Sequence, residues 1–389
     1  MTERDVIVVG AGPAGATTAV ALARKGYDVL LLDREEFPRD KTCGDAVPAG
    51  AIEALWRLGA RDKVEAAVAR GEFYPLDGMV VLSPRGYELR APFADGDRGS
   101  NSYVAPRIYF DHVIQQHAID SGAEFRPMQV KEPLVENGRV VGVRARENGR
   151  VEDIRAKMVV GADGVTSVIT RHLRPKANQH GDHHRAVALR AYIEDIEEIP
   201  GMVEFYLYKD ILPGYAWIFP IGGNRANIGL GMRLDHFRQK KMKLEDMLDQ
   251  FLEMPAVKER LLRGGVLRDM TTWQLNFGSK KHLQHTFDGA LLVGDAAGFI
   301  NPLTGGGIHN SLISAELAAQ TIDEALRRGS VLSEHLLIYE QRCHEAMWDS
   351  MKTSHRYQRW FLKFPVLVDI LVRVFSENSG LAQTFLTKL

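Results

Sequence analysis

The hydrophobic pattern at the start of the chain predicts a strand, a glycine-rich turn, a helix and a second strand. The apolar run DVIVVG leads into GAGPAG, apolar residues recur at helical spacing in ATTAVALARKG, and YDVLLLD follows as a second buried-type strand. Gly10 permits the tight turn, Gly12 lets backbone approach a pyrophosphate at the positive end of the helix, and Gly15 allows close packing of helix and strand. Asp33 ends the second strand, where a carboxylate accepts hydrogen bonds from an adenosine ribose and repels a 2'-phosphate. The pattern therefore predicts a domain that binds FAD or NAD.

Two later segments repeat the pattern of a buried strand that ends in a turn. In MVVGADGVTSVITRHL, Asp163 and Gly164 precede a short helix. In GALLVGDAAGFINPLTGGGIHNSL, a strand ends at Gly294 and Asp295, and a long helix begins after three glycines. These segments supply two more carboxylates at strand ends and a second helix N-terminus. FAD, with ribitol and isoalloxazine beyond the pyrophosphate, needs such contacts, so the pattern favours FAD over NAD.

The ordered motifs GxGxxG, GADG and GDAAG resemble the fingerprint of flavoproteins similar to para-hydroxybenzoate hydroxylase, over most of residues 1–330. The resemblance implies an α/β fold, α+β overall, in which a Rossmann-type FAD-binding domain is interleaved with an antiparallel-sheet substrate domain. It further implies that Asp295 binds ribitol, that residues 304–307 face the flavin, and that Arg107 contacts FAD. The residues predicted to bind the cofactor are Gly10, Gly12, Ala14, Gly15, Asp33, Arg34, Cys43, Gly44, Arg107, Asp163, Gly294, Asp295, Pro302, Gly305, Gly306, Gly307 and Ile308.

Two further motifs resemble those of geranylgeranyl reductases. YAWIFP followed by GLG matches a YxWxFP element with a later GxG, and RDKTCGD is similar to RxKxCGG, with Asp45 in place of the second glycine. The halogenase pattern GWxWxIP retains Trp217 and Pro220, but Tyr215 and Phe219 stand in place of its first tryptophan and its isoleucine. The resemblance implies hydride transfer from reduced FAD to carbon–carbon double bonds of a prenyl lipid. The alternatives are a flavin monooxygenase or halogenase acting on an aromatic substrate, and a redox-sensing flavoprotein.

The substrate is expected to lie against alternating aromatic side chains. Tyr215, Trp217 and Phe219 point to the same side of a strand, and Gly229 and Gly231 on the next strand would leave a groove. We interpret these five residues as the wall of a tunnel for an apolar chain. The alternative is that they form sheet core.

Cys43 is the predicted catalytic residue, with an inert packing role as the alternative. Arg39 and Lys41 are expected to lower the pKa of its thiol. His309 is assigned to helix packing rather than to acid catalysis. The histidine-rich segment NQHGDHHR, residues 178–185, is interpreted as a polar linker and not as a metal site.

Composition narrows the class of protein without identifying its chemistry. The chain has 389 residues, 45% of them hydrophobic and 25% charged, with a formal net charge of -1. These values predict two domains and give no electrostatic case for a nucleic-acid partner. Cys43 and Cys343 are predicted to be free thiols in a cytoplasmic protein. Because a second nucleotide motif is lacking, we expect the reductant to be transiently bound NAD(P)H or a ferredoxin-type protein.

Turn-rich segments predict the domain boundaries. Residues 1–70, 101–183 and 284–330 are assigned to FAD binding, 71–100 and 184–283 to the substrate, and 331–389 to a C-terminal helical region. Residues 357–375 are strongly apolar but are interrupted by Lys363, Asp369 and Arg373. They are too polar to span a bilayer, and are expected either to lie on the inner membrane surface or to cap the substrate domain.

Overall fold

The computed structural model describes residues 3–93, 101–364 and 366–378. Within these residues the strands, in chain order, are β1 (Arg4–Val9), β2 (Val29–Asp33), β3 (Ala46–Val47), β4 (Tyr74–Leu76), β5 (Gly78–Leu82), β6 (Glu88–Pro92), β7 (Ser102–Val104), β8 (Glu124–Pro127), β9 (Gln129–Glu136), β10 (Arg139–Glu147), β11 (Arg150–Gly161), β12 (Arg185–Ile196), β13 (Met202–Tyr206), β14 (Tyr215–Pro220), β15 (Arg225–Arg233), β16 (Leu261–Asn276), β17 (Thr286–Phe287) and β18 (Ala290–Leu292).

The helices of the described residues are α1 (Pro13–Ala23), α2 (Ala49–Arg57), α3 (Arg61–Ala69), α4 (Arg107–Asp120), α5 (Val168–Leu173), α6 (Leu234–Phe237), α7 (Leu244–Leu252), α8 (Pro255–Lys258), α9 (Gly294–Ala297), α10 (Ile308–Arg328), α11 (Ser333–Lys363) and α12 (Val366–Glu377). Two short 3-10 turns, Lys176–Asn178 and Asp182–His184, precede β12.

The first sheet has a parallel centre in which β11, β1, β2 and β8 are neighbours. Val6 and Ile7 of β1 are fully buried, because α1 and the helices around it cover the sheet. This is the reason that the strand reads as a continuous apolar run rather than as an alternating one. Parallel strands bring their carboxyl ends to one edge of the sheet, so the loops after β1, β2 and β11 meet there. The predicted Rossmann-type fold is confirmed.

The second sheet has the order β16-β12-β15-β14-β13-β5-β6. Neighbouring strands are antiparallel except for β13 and β5, which are parallel. It has its own hydrophobic core, to which α7 contributes Leu248 and Phe251. Its strands come from residues 78–92 and 185–276, whereas those of the first sheet come from 4–33, 124–161 and 286–292. The predicted boundary segment 94–100 and the tail 379–389 lie outside the described residues.

One C-terminal helix packs against α10, and the other packs against the second sheet. α11 lies against α10, and α12 lies against β6 through Val368 and Val372, which pack on Leu89 and Ala91. The buried Asp369 accepts hydrogen bonds from Ser83 Oγ at 2.7 Å and from the backbone of Arg85 at 2.9 Å. This helix therefore covers an edge of the second sheet, as the capping alternative expects. Among the described residues, no helix combines the length and the apolar character that crossing a membrane requires.

Candidate active site

A cavity of about 500 Å³ lies at the carboxyl ends of β1, β2 and β11. The three glycine-containing motifs meet in it, although they are far apart in the sequence. Of the residues that the sequence predicted to bind the cofactor, those that line this cavity are Gly10, Gly12, Ala14, Asp33, Arg34, Asp163 and Asp295. We call this cavity the cradle.

The glycines of the first motif have different functions in the cradle. Gly10 adopts φ +103°, and a Cβ there would lie 2.4 Å from the carbonyl oxygen of Ala162. A Cβ at Gly15 would lie 1.7 Å from the carbonyl oxygen of Gly10, so this glycine permits close packing of α1 on β1. At Gly12 the nearest atom is 3.7 Å away, on Arg39. Gly12 is therefore not tightly packed, and because it lines the cradle at the N-terminus of α1, a pyrophosphate can approach its backbone there.

The carboxylate of Asp33 is held at the end of β2. Its Oδ2 accepts a hydrogen bond from the backbone of Ala11 at 2.8 Å, and its Oδ1 accepts one from the backbone of Glu35 at 3.1 Å. Arg34, beside it, is exposed and pairs with Glu35 at 3.2 Å, so its side chain lies at the rim of the cradle. The orientation of Asp33 is thus fixed by the protein before any ribose binds.

Asp163 differs from the expectation that its carboxylate faces the ligand. Its Oδ2 accepts a hydrogen bond from the backbone of Val168 at 2.6 Å, and its Oδ1 accepts one from Ser167 Oγ. Burial raises the pKa of this carboxyl group above its usual value. Asp163 borders the cradle, but its carboxylate is used to cap the start of α5.

Asp295 connects the cradle to a second cavity, which we call the substrate cavity. Its Oδ2 lies 3.5 Å from Lys41 Nζ. A Cβ at Gly307 would lie only 3.0 Å from its Oδ1, so glycine lets the start of α10 approach this carboxylate. Gly294, at φ +56°, packs against Ala14, where a Cβ would stand 2.8 Å away. Pro302, Gly305, Gly307 and Ile308 line the substrate cavity, whereas the backbone of Gly306 donates to Thr304 Oγ1 at 3.2 Å.

The residues of the cradle fit FAD. An open glycine at a helix N-terminus suits the pyrophosphate, a fixed carboxylate suits the ribose, and a second carboxylate stands where the cradle meets the substrate cavity. The start of α10 borders that junction with backbone N–H groups and the positive end of its dipole. The long shape of the combined space matches a dinucleotide that continues into a ring system.

The substrate cavity has an aromatic wall. Tyr215, Trp217 and Phe219 line it from β14, and their neighbouring ring centroids are 5.9 and 6.1 Å apart. Cys43, Gly44 and Arg107 line the side towards the first sheet. Apolar residues continue the surface: Ala186, Ala188, Leu275, Phe277, Ile300 and Leu303.

The two glycines opposite the aromatic wall do not leave the same space. Gly229 pairs with Trp217 and Gly231 pairs with Tyr215. A Cβ at Gly229 would lie 2.4 Å from the Trp217 ring and 2.2 Å from the carbonyl oxygen of Leu189. At Gly231 the nearest atom is 3.2 Å away, and this residue lines the substrate cavity. The expected groove is therefore corrected at Gly229, because the indole ring occupies that space.

Cys43 lies in the substrate cavity, but its electrostatics differ from the expectation. Burial raises the pKa of the thiol, and the opposing effects of Arg107 and Lys41 do not overcome it. The backbone N–H of Asp45 donates to Cys43 Sγ at 3.3 Å. The prediction of a lowered pKa was wrong, since the thiol keeps its proton near neutral pH. Cys43 and Cys343 are both free cysteines.

Arg107 is anchored by Asp111, a residue that the sequence analysis missed. Arg107 donates through Nε and Nη2 to the two carboxylate oxygens at 2.5 and 2.6 Å, and Asp111 also accepts from Arg39 Nη1 at 2.6 Å. Arg107 and Asp111 are buried. The neighbouring guanidinium groups hold the pKa of Asp111 below its usual value despite its burial. The i, i+4 spacing on α4 was a signal that could have found this pair.

A second missed group centres on Asp45. This residue adopts φ +64°, a conformation that aspartate tolerates better than most residues, so it can replace the glycine of the commoner motif. Its Oδ2 accepts from Tyr192 Oη and from Asn227 Nδ2, both at 2.7 Å. Asn227 Oδ1 in turn accepts from Trp217 Nε1 at 2.8 Å. Burial raises the pKa of Asp45 to about 7. The chain of hydrogen bonds fixes the indole ring from the far side of the wall.

Trp273 and Arg190 also border the site without having been predicted. Trp273 lines both cavities, and its buried indole N–H has no hydrogen-bond partner among the described residues. Arg190 is almost fully buried, pairs with Asp40 and stacks on Tyr192 at 4.5 Å from the ring centroid. No motif marks either residue, because both belong to long strands whose partners are remote in sequence.

The remaining candidate histidines line neither the cradle nor the substrate cavity. The ring of His309 is directed at α2, where a Cβ on Gly50 would stand 2.8 Å from it, and burial lowers its pKa. Segment 178–185 lies beside β12 rather than in the cradle. In the part of the chain that the structure describes, no group of three or more histidine, cysteine or acidic residues is arranged to hold a metal ion.

Comparison with known proteins identifies the class of this architecture. Residues 3–354 match the FAD binding domain family. The chain is 32% identical over 372 residues to digeranylgeranylglycerophospholipid reductase 2 of Methanopyrus kandleri, covering 92% of this chain and 87% of that protein. It is similar to the crystal structure of a geranylgeranyl bacteriochlorophyll reductase-like protein from Thermoplasma acidophilum, with a TM-score of 0.87 and 27% identity over 97% of this chain and 92% of that one.

The flavin-dependent brominase Bmp2 is structurally similar at a TM-score of 0.76, over 97% of this chain and 94% of that one, but at only 20% identity. This likeness shows the shared fold alone. The chain therefore belongs to the FAD-binding flavoproteins and, within them, to the geranylgeranyl reductase family. The prediction of FAD as the cofactor and the resemblance drawn from the sequence motifs are confirmed.

Proposed function

We propose that this protein is an FAD-dependent reductase of carbon–carbon double bonds in a prenyl lipid. The observation that carries the proposal is the continuity of the two cavities: Asp295 belongs to both, and beyond it the lining changes from polar to aromatic and aliphatic. The relatives named digeranylgeranylglycerophospholipid reductase support a lipid with a phosphate-containing head group.

The chain's own residues bind and orient the alkene, while bound FAD, once reduced by the electron donor, would supply the hydride. An isolated double bond is a poor electrophile, so it must be held close to the cofactor with water excluded. The wall of Tyr215, Trp217 and Phe219 does this for an extended apolar chain, and Tyr215 is fixed by donating its hydroxyl hydrogen to the carbonyl of Thr304. Each buried methylene contributes roughly 0.8 kcal/mol, which offsets extraction from a bilayer.

Cys43 holds a proton on Sγ inside the substrate cavity. Because burial raises the pKa of this thiol, it is suited to donating a proton to the second alkene carbon and unsuited to acting as a thiolate nucleophile. Arg107, close to Cys43 and oriented by Asp111, would stabilise negative charge left after that donation.

The proposal includes contact with the cytoplasmic face of a membrane through α12. Val366, Ile370 and Val374 repeat every four residues and are 45%, 50% and 42% exposed, on the opposite side from the buried Val368 and Val372. Such a one-sided apolar helix suits the interface of a bilayer. A vesicle-flotation assay tests this: Ile370→Glu with Val374→Glu should abolish co-flotation, and Val135→Glu with Val151→Glu, at exposed sites on the remote β9 to β11 ribbon, should not.

The predicted division into flavin-binding, substrate-binding and C-terminal regions also belongs to this proposal, with the two sheets as its supporting observation. The electron donor is proposed to be NAD(P)H or a ferredoxin-type protein. Comparing the rates of flavin bleaching by NADH, NADPH and reduced ferredoxin under anaerobic conditions distinguishes these donors.

Anaerobic incubation of chemically reduced protein with geranylgeranyl lipids tests the reaction. Mass increases in steps of two hydrogens, with stoichiometric flavin reoxidation, are expected. A product that forms only when oxygen is admitted, and that contains oxygen or a halogen, would support the monooxygenase or halogenase alternative. Protein that reoxidises without converting any prenyl lipid or aromatic compound would indicate a redox sensor.

A further inference from the structure

A depression of about 510 Å³ lies next to the substrate cavity and has a basic lining. Every lining residue within the described part of the chain is a cation or a histidine: His183, His184, Arg233, His236, His355, Arg359 and Lys363. The whole chain has 49 lysine and arginine residues against 50 acidic ones, so this grouping does not follow from composition. We call it the basic depression.

Four separate elements build the basic depression, and β15 contributes Arg233 at its end. His183 and His184 come from the 3-10 turn before β12, and His236 comes from α6. His355, Arg359 and Lys363 recur at intervals of four on α11, which places them on one face of its last turns. The rings of His184 and His355 are 5.6 Å apart between centroids. Residues remote in sequence thus converge on one concave surface.

The basic depression adjoins the substrate cavity. Arg233, which is buried, lines both of them. On α11, Gln358 lines the substrate cavity and the next residue, Arg359, lines the basic depression. A molecule with an apolar chain and an anionic end can therefore occupy both spaces at once.

The charges of the basic depression are only partly compensated within the protein. Asp235 binds Arg233 through two hydrogen bonds of 2.6 and 2.8 Å and contacts His183 Nδ1 at 2.8 Å, which fixes those two side chains. Arg359 and Lys363 have no carboxylate partner among the described residues. Burial, reinforced by neighbouring His184 and Arg359, lowers the pKa of His355 to about 4.

Helix-dipole complementarity explains only part of this arrangement. A lysine in the last turn of α11 is favourable beside the helix C-terminus. That argument does not extend to His184, Arg233 and His236, which belong to other elements. Clustered cations and hydrogen-bond donors around a concave surface are the usual arrangement for binding a phosphate, whose several oxygens accept charge-assisted hydrogen bonds.

We propose that the basic depression binds the phosphate group of the lipid substrate's head, while the prenyl chain lies along the aromatic wall. This inference rests on the proposed function, because it assumes that the substrate is a prenyl lipid. Arg359 and Lys363 attract and hold the phosphate at the open side, and Arg233, oriented by Asp235, contacts it at the junction with the substrate cavity.

The test compares binding of geranylgeranyl phosphate and geranylgeraniol to the oxidised flavoprotein in a neutral detergent, by calorimetry. The wild type is expected to bind the phosphate at least tenfold more tightly than the alcohol.

The variants locate this preference in the structure. Arg359→Gln with Lys363→Gln should remove it, leave affinity for the alcohol unchanged and retain the flavin. Lys352→Gln with Arg356→Gln, exposed on the same helix but outside the basic depression, is the matched control and should behave as wild type. Arg359→Lys with Lys363→Arg should restore the preference.

The outcomes separate the two proposals. If the wild type binds both ligands with equal affinity, the phosphate site is wrong while the lipid cavity stands. If inorganic phosphate binds at the basic depression but does not compete with geranylgeranyl phosphate, the site serves free phosphate and the head-group assignment is overturned. If neither prenyl compound binds, the proposed function itself fails. Thermal unfolding of each variant confirms that lost binding is not lost folding.

Discussion

The cradle and the substrate cavity meet at Asp295 but are constructed in different ways. The cradle uses backbone turns at the ends of adjacent parallel strands, and its main contributors, Gly10, Gly12 and Asp33, lie within 24 residues of sequence. The substrate cavity uses residues from both sheets, from the helices around them and from α11, brought together from positions 13 to 358 of the chain. A local motif can therefore encode this main part of the cradle, whereas the substrate cavity depends on how the two sheets pack.

Glycine also has a different role in each of the two cavities. Gly12 lines the cradle and is not tightly packed, since an added Cβ would meet the nearest atom outside its own turn at 3.7 Å, so a ligand can approach it. Gly229 keeps space open for another part of the protein, because the Trp217 ring fills it. A glycine near a site is thus evidence of close approach, and only the structure shows which group approaches.

The largest expected effect is on flavin binding. Gly12→Val places a side chain in the open part of the cradle, so we expect affinity for FAD to fall at least about 100-fold, equivalent to roughly 2.7 kcal/mol. The measurement is a fluorescence titration of apoprotein with FAD. Gly181→Val is the control, because Gly181 is exposed and has no atom within 4 Å of an added Cβ. Equal affinity of the two variants would show that the pyrophosphate does not lie at α1.

The second prediction contrasts Gly229 with Gly231. Gly229→Ala should lower the free energy of unfolding by about 1–3 kcal/mol, because its Cβ would overlap the Trp217 ring and the carbonyl of Leu189. Gly231→Ala should destabilise less, because its Cβ would meet its nearest atom, the Ala188 Cβ, at 3.2 Å, and it should lower kcat/KM more for twenty-carbon than for ten-carbon prenyl substrates. Denaturant unfolding and kinetics with both substrates measure these effects. Similar destabilisation by the two changes would contradict the distinction between packed and open glycines.

The third prediction concerns Cys43. Cys43→Ser should retain FAD and lose about tenfold in turnover, because a hydroxyl group is a weaker proton donor than the neutral thiol. In the wild type, alkylation by iodoacetamide should be slow at pH 7 and should accelerate above pH 9, because burial raises the pKa of the thiol. Fast alkylation at pH 7 would restore the thiolate hypothesis, and unchanged turnover of the serine variant would assign Cys43 to packing.

The last prediction concerns the pH dependence that Asp45 gives to stability. Its folded-state pKa of about 7 exceeds the ordinary value of 3.8, so the folded protein binds more protons than the unfolded chain between those values. Stability contributed by the protonated carboxyl is therefore present below about pH 4 and is lost as the pH rises through 7. With these values we expect wild type to lose about 2–3 kcal/mol relative to Asp45→Asn between pH 5 and 8, because each pH unit from 5 up to the folded-state pKa contributes about 1.4 kcal/mol. The measurement is denaturant unfolding of both proteins at pH 5 and at pH 8. If the difference in free energy of unfolding between wild type and Asp45→Asn is the same at both pH values, the prediction is wrong.

Motifs with local causes could be predicted from the sequence, and networks with remote partners could not. The i, i+4 pair of Arg107 and Asp111 was visible in principle on a predicted helix. The hydrogen bonds from Asp45 to Tyr192 and Asn227 join residues separated by 147 and 182 positions, so no spacing rule indicates them. The raised pKa of Cys43 was not predicted for a related reason. Neighbouring lysine and arginine residues can be read from a sequence, whereas the desolvation of a side chain cannot.

The sequence by itself determined the Rossmann-type unit, the positions of its turns and the alternation that puts three aromatic residues on one side of β14, because these follow from local backbone geometry and periodicity. Tertiary structure alone decided that Trp217 lies over Gly229, that Asp163 caps α5, and that a histidine-rich turn faces the end of α11. Each of these depends on which surfaces come together when two sheets and a long helix bury their apolar faces, and that choice is made by packing across the whole chain.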